Sequence, residues 1–342
     1  MADYSDIKFS GTSAQTPSFR NIIINGDMSI AQRGTSFTGI TNGNSQYTLD
    51  RWKVSEFGSP SYQFTASQST DVPTGQGFSS SLKMDCTTAQ GSLASGDGLR
   101  IDTRIEGQNL QYLKKGTANA ESVTMSFWVK SNKTGTYIID LFDQDNTRQI
   151  SKSYTINTTD TWEKKTLTFA GDTVGAFDND SGRSLDINFW LGVGTDYSSG
   201  TLNTSWNSNT NANRAVGQVN LADSTDNEWF ITGVQLEVGS AASDFEFLPY
   251  DVNLQRCQRY CYTYANYGAG DVSGNRAFSS QYAVGSMVHI HYPTQLRANP
   301  TISYGITGGT IDSPQSNISQ LQEYDANDLN FWLYDVIAEA EL

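Results

Sequence analysis

In residues 229–238, WFITGVQLEV, four of the five even positions (Phe230, Thr232, Val234, Leu236, Val238) are apolar, whereas the odd ones are mixed. A period of two predicts a strand with its even side on a core. The stretch GSAAS that follows (239–243) is small and polar, and DFEFLPY (244–250) changes character again. The strand is expected to close one large all-β body, with a separate, smaller unit after it.

Upstream, short apolar or alternating runs predict strands at 22–24, 61–66, 81–86, 99–106, 122–130, 136–142, 165–169 and 185–193. The gaps between them are polar and rich in turn residues, which is how a β-sandwich or barrel is written. One short helical pattern falls at 110–115, and 194–214 reads as a long polar loop carrying Tyr197 and Trp206. Downstream, Asp251 can cap a helix running through Arg259, with Leu254 and Cys257 on one side. Strands are then expected from the alternation of Tyr260, Tyr262 and Tyr264, at 286–292 and at 331–342. On the last, Trp332, Tyr334, Val336, Ala338, Ala340 and Leu342 share a side. The expected organisation is a leader or docking peptide (1–19), a jelly-roll sandwich (20–243), and a short helix with a small β-rich unit (244–342).

A length of 342 residues leaves room for about two domains. The 22 Lys and Arg against 36 Asp and Glu give a net charge of −14, which disfavours a nucleic-acid partner. No apolar run is long enough for a membrane span, and residues 1–10 lack the build of a signal peptide. Cys86 alternates with Leu82 and Met84, as a small core residue would. Cys257 and Cys261 sit four apart, poor disulfide geometry on a helix turn, so free thiols and assembly in a reducing cytoplasm are expected.

Several pieces occur together in order: NIIINGDMSIAQRG (21–34), YTLDRW (47–52), RIEGQNL (104–110), VTMSFWVKS (123–131), TWEKKTLTF (161–169), ITGVQLEVG (231–239), CQRY (257–260) and a final AEAEL (338–342). The series resembles the distal tail-fibre, receptor-binding proteins of bacteriophages. Within it, residues 20–243 are similar to jelly-roll carbohydrate-binding modules, which also open on an Asn-Gly-Asp-like turn and close on an aromatic-rich strand. The resemblance implies a homotrimeric virion fibre that adheres to host surface polysaccharide, joined to other tail proteins through residues 1–19 or by another protein. Such modules often hold a structural calcium with an acidic residue in the closing strand; Thr232-Gly233 stands there instead, and no metal or cofactor is assigned.

Trp128 and Trp190 each sit opposite the apolar side of their strands, Trp128 with Thr124, Ser126 and Lys130, and Trp190 with Asp186 and Asn188. An indole among donors and acceptors suits a sugar ring, so Trp128, Trp190, Asp186, Asn188 and Arg104 are the candidate carbohydrate-binding residues. The competing reading is that loops or a neighbouring subunit cover this side and the tryptophans are packing. Arg100, Asp102, Arg104 and Glu106 alternate as a charge ladder. His289 and His291 share a strand side but are too few for a metal site. No nucleophile elbow, P-loop or dinucleotide fingerprint is present. The expected function is a non-enzymatic virion adhesin. The alternatives are a polysaccharide depolymerase and a capsid or head-fibre decoration.

Overall fold

The computed structural model describes residues 19–41, 43–264, 277–278, 280–282, 285–307, 315–325 and 332–342. The expected docking peptide, 1–19, lies outside them except for Phe19. Two antiparallel sheets face each other through their apolar sides. The first is ordered β1 (Ser36–Ile40), β4 (Gln63–Ser69), β5 (Ser81–Thr88), β13 (Glu228–Val238), β7 (Val123–Ser131) and β10 (Glu163–Phe169). The second is ordered β12 (Asn207–Ser208), β9 (Arg148–Ile156), β8 (Gly135–Asp143), β11 (Arg183–Val193), β6 (Gly98–Glu106), β3 (Lys53–Phe57) and β2 (Gln46–Tyr47). Their inward residues, among them Met125, Phe127, Val129, Ile187, Phe189 and Leu191, form one continuous core. This is the expected all-β sandwich, and the strand alternation that predicted it is the alternation that packs it.

The closing strand departs from simple alternation. Trp229 and Ile231 enter the core, then Val234 and Leu236 do, so the inward side changes parity midway. The change occurs at a bulge between Thr232, opposite Trp128, and Gln235, opposite Ser126. Gly233 makes it possible with φ of 61°, and a Cβ there would come within 2.5 Å of Cζ of Phe78. Phe230 is therefore on the outer side, not in the core.

The run 22–24 is buried but is not a strand. Asn21 takes over its backbone pairing, accepting from the amides of Ile23 and Leu236 at 3.0 Å each. Asn25 turns the chain at φ of 58° and ties Ile30 and Asp50 through its side chain. Side-chain bonds of this kind compete with a sheet ladder. The helical pattern at 110–115 resolves into 3-10 turns at Gly107–Asn109 and Gln111–Leu113, ended by Lys114 at φ of 52°.

After β13, residues 244–249 lie along the sandwich, with Phe245 and Phe247 each 5.1 Å from Phe78 between ring centroids. The helix α2 (Tyr250–Gln258) follows; α1 (Thr195–Ser198) is a single turn in the polar loop. Asp251 falls in the first turn of α2, and Pro249 is its N-cap, without a side-chain bond. Cys257 and Tyr260 pack with Ile24 and Ile30 of the sandwich. The second unit holds two further sheets. One joins β14 (Cys261–Tyr264), β21 (Trp332–Glu339), β15 (Ala277–Phe278) and β18 (Thr301–Thr307); the other runs β16 (Ser280–Tyr282), β17 (Gly285–His291), β20 (Gln320–Asp325), β19 (Gln315–Ser316). Val336, Ala338 and Ala340 pack with Ile290, Tyr292, Leu296 and Leu321. The three cysteines are free and buried. No helix among the described residues is long and apolar enough to cross a membrane.

Residues 339–342 return to the sandwich. Arg33 bridges Glu339 at 2.6 Å and Glu341 at 3.0 Å, and Arg51 pairs with Glu341. Tyr47 donates to the main-chain oxygen of Leu342 at 2.7 Å, and Arg104 donates to the same atom.

Candidate functional site

Antiparallel register brings alternate residues of β8, β11, β6 and β3 to the outer side of the second sheet. Asn188 lies between Asp140 and Asp102, and Lys53 continues that row beyond Asp102. One step along, Asp186 lies between Phe142 and Arg104; one step the other way, Trp190 neighbours Arg100, with Ser55 beyond. The sequence-derived residues Asp186, Asn188, Trp190 and Arg104 thus share one side of one sheet. Trp128 does not join them. It stands on β7, on the outer side of the first sheet, between Thr232 and Lys164, with the whole sandwich between it and Trp190. Its own strand alternation was read correctly, but alternation alone does not tell which of two sheets a strand enters.

The floor of this face is closed. Trp190, Asn188, Asp102 and Asp140 are fully buried and Asp186 nearly so. Trp190 donates its indole N–H to Asp140 and packs edge-on against Phe57, at 5.8 Å, with Tyr197 at 5.6 Å. Two guanidiniums flank the indole, Arg214 at 5.3 Å and Arg100 at 5.4 Å. The 194–214 loop supplies Tyr197, Leu202 and Arg214 to this cluster. As a sugar platform Trp190 is therefore corrected to packing: the loop covers it.

Polar floor residues hold the rim. Asp102 accepts from Ser55 and, at 2.9 Å, from Nε of Arg104, and it ion-pairs with Arg100 at 3.6 Å. Burial works against its charge, yet Arg100 and Arg104 keep its carboxyl below the usual carboxylate range. Asp186 accepts from Arg183 and Gln144, each at 2.6 Å. Arg214 neutralises Asp140 at 2.8 Å, and Arg259 grips both oxygens of Glu106 at 2.8 Å. The partly open residues above this floor are Lys53, Phe57, Arg100, Phe142 and Arg183, with Tyr47 at the edge. Tyr47 has Arg33, Lys53 and Arg104 within 6.0 Å of its ring, and burial pushes its hydroxyl up to about 12.

Asn188 is the exception to this orderly pairing. Neither Oδ1 nor Nδ2 has a hydrogen-bond partner within the described residues, although the side chain is fully buried. Nε of Arg100 and Oε1 of Gln149 are likewise unbonded. Buried polar groups without partners are uncommon and carry a desolvation cost of about 1–3 kcal/mol each. Sequence reasoning missed Phe142, Lys53 and Arg183. Phe142 was placed inside an expected strand but on no side in particular; its odd neighbours Ile139 and Leu141 mark it as outward.

His291 is exposed, and the side chain of His289 lies outside the described residues. No group of three or more metal-ligating side chains occurs among the described residues. Asp27, in the turn after Asn25-Gly26, accepts from Nδ2 of Asn253 at 3.1 Å.

No protein-family model and no curated protein matches the chain. Among solved structures it is similar to the enzymatically active domain of tailspike protein 4 from bacteriophage CBA120, at 16% identity and a TM-score of 0.34. That match covers 65% of this chain and 22% of the other, so the chain spans about a fifth of the tailspike structure's length. It is also similar to a CBM4 structure, at 13% identity and a TM-score of 0.30, covering 63% of this chain and 98% of that one. A third is a family 11 carbohydrate-binding module from Clostridium thermocellum in complex with a β-1,3-1,4-mixed-linked tetrasaccharide. There the identity is 10%, the TM-score 0.29, and the coverage 61% and 98%.

Proposed function

We propose that the protein is a non-catalytic, glycan-binding adhesin of a bacteriophage tail fibre, which uses the outer side of the second sheet against host surface polysaccharide. The observation that carries this is the carboxamide of Asn188, buried without a partner beneath a rim of arginines, a lysine and Phe142. A pyranose offers what such a face lacks: hydroxyl donors and acceptors beside an apolar C–H surface. The ordered motif series described above supports the tail-fibre setting, with residues 1–19 as the docking segment. Assembly in the host cytoplasm agrees with the free thiols.

The non-catalytic part rests on the carboxylates. A glycosidase needs one carboxyl held protonated as general acid. On this face Asp102, Asp140 and Asp186 are each engaged by an arginine, and Arg100 and Arg104 hold the carboxyl of Asp102 below the usual carboxylate range against the cost of its burial. The proposed assembly is a homotrimer through the unit after Ser243. The apolar alternation over 336–342 contributes little to such a contact, because Val336, Ala338 and Ala340 are already covered inside the chain.

Affinity electrophoresis on purified host polysaccharide tests the binding claim. Wild type is expected to be retarded, Arg104→Ala and Phe142→Ala to run freely, and the polysaccharide to keep its length by size-exclusion chromatography. Shortening of the polymer would establish a depolymerase instead. Light scattering on the full chain tests the trimer, and immunogold labelling of virions separates tail from head.

A further inference from the structure

The outer side of the second sheet is unbalanced in charge. Lys53, Arg100, Arg104 and Arg183 stand on it against Asp102 and Asp186. The pairs Arg214–Asp140 and Arg259–Glu106 cancel. The adjoining cluster holds its own counter-charges: Arg33 and Arg51 pair with Asp50, Glu339 and Glu341, and Arg297 lies beside them on the main-chain oxygens of Ala340 and Glu341. Asp145, Asp178 and Asp180 stand on loops beyond the strand ends, not on the sheet. A chain of net charge −14 therefore carries a locally cationic face.

Lys53 is the cation left over. Among the described residues its ammonium has no carboxylate within ion-pair distance, and its nearest aromatic partner is Tyr47 at 5.7 Å. Burial disfavours its charge and repulsion from Arg104 adds to this; the attraction of Asp102 opposes them, but with further repulsion from Arg183 and Arg100 the pKa is lowered overall. Nearby, Nε of Arg100 is buried with no hydrogen bond, and among the described residues Asp102, at 3.6 Å, is its one carboxylate within ion-pair distance. The face thus lacks an anion. The donors are spaced along the sheet, with partly open Phe142 two strands from Arg104, and are not gathered round one point, which suits an acidic group carried on a sugar chain better than a free ion.

We infer that this face selects acidic polysaccharide, with a sugar-borne carboxylate seated between Lys53 and Arg100. The inference rests on the glycan-binding reading above. Calorimetry of the full chain with a panel of uronate-, sialate- and pyruvate-bearing oligosaccharides, each beside its carboxyl-reduced counterpart of equal length, tests it. At least one acidic member is expected to bind about tenfold tighter than its reduced form at low salt, with the difference shrinking as salt rises. Lys53→Gln should abolish the difference while leaving thermal unfolding unchanged. Equal binding of acidic and reduced forms, lost in Arg104→Ala, would overturn the acid selectivity and leave the face as the site. Binding lost in Trp128→Ala but not in Arg104→Ala would overturn the face itself. Failure of every acidic member to bind would overturn the inference outright.

Discussion

The indole N–H of Trp190 donates to Oδ1 of Asp140, one strand away, and the ring is sealed by Tyr197 from the polar loop. Trp190→Ala should therefore cost about 3–5 kcal/mol of stability, as removal of a large buried aromatic does. Trp128, partly open on the opposite sheet, should cost less than about 1 kcal/mol when replaced by Ala. Urea denaturation of the two variants checks this contrast. Equal losses would mean that Trp128 is also covered, for instance by a second copy of the chain.

Gly233 at φ of 61° lies under the ring of Phe78, which in turn packs on Phe245 and Phe247. A methyl group at this position meets both the backbone penalty of a left-handed residue and the ring. Gly233→Ala should lower stability by about 1–3 kcal/mol. The double variant Gly233→Ala with Phe78→Leu should recover part of the Ala variant's loss if the ring clash matters. No recovery would assign the cost to backbone conformation alone.

Much of the sandwich was legible because its strands alternate and end in turns. Strands β5 to β8, β10, β11 and β13 were expected within a few residues of their observed bounds. Lys53–Phe57 and Arg148–Ile156 were missed, since their polar outward residues dilute a short apolar pattern. The parity change at Gly233 was hidden too, because a bulge needs a backbone conformation that a period-two count cannot register. For the site, alternation put Trp190, Asp186, Asn188 and Arg104 on non-core sides. Pairing order, which no local pattern encodes, then separated Trp128 from them. Burial of Trp190 depends on the loop 194–214 folding back, a long-range event without a local signature.

Glu56 points inward from β3 with both carboxylate oxygens unbonded, and burial raises its carboxyl to about 7. Its folded pKa exceeds the ordinary 4.5, so between these values the folded state binds more protons than the unfolded state. Stability should therefore fall as pH rises through that window and level off above about 7. Glu56→Gln removes the titration. Urea midpoints at about pH 5 and pH 8 should show wild type losing ground to the variant as pH increases. A constant difference between them would mean that Glu56 is solvated or paired in solution.

The arginine clamp on residues 339–342 joins the two units, and its centre is Glu341. Arg51 is almost fully buried, stacks on Tyr260 at 3.5 Å, and donates to both Glu341 and the main chain of Arg104. Arg33 reaches the other oxygen of Glu341. Removing the carboxylate strands the buried Arg51, whereas Arg33 keeps Asp50 and Glu339. Glu341→Gln should therefore be the more damaging single change, at about 3–5 kcal/mol, with Arg51→Met somewhat milder. The double variant Arg51→Met with Glu341→Gln should fall well short of the sum, because the second change no longer leaves Arg51 unpaired. A double-mutant cycle by chemical denaturation measures this coupling. The same variants test whether the clamp makes the units unfold together. One transition in wild type and two in Glu341→Gln is the expected result, with the sandwich melting later. Strict additivity, or two transitions already in wild type, would show that the units are held by the packing of Cys257 and Tyr260 on Ile24 and Ile30 and that the charges contribute little.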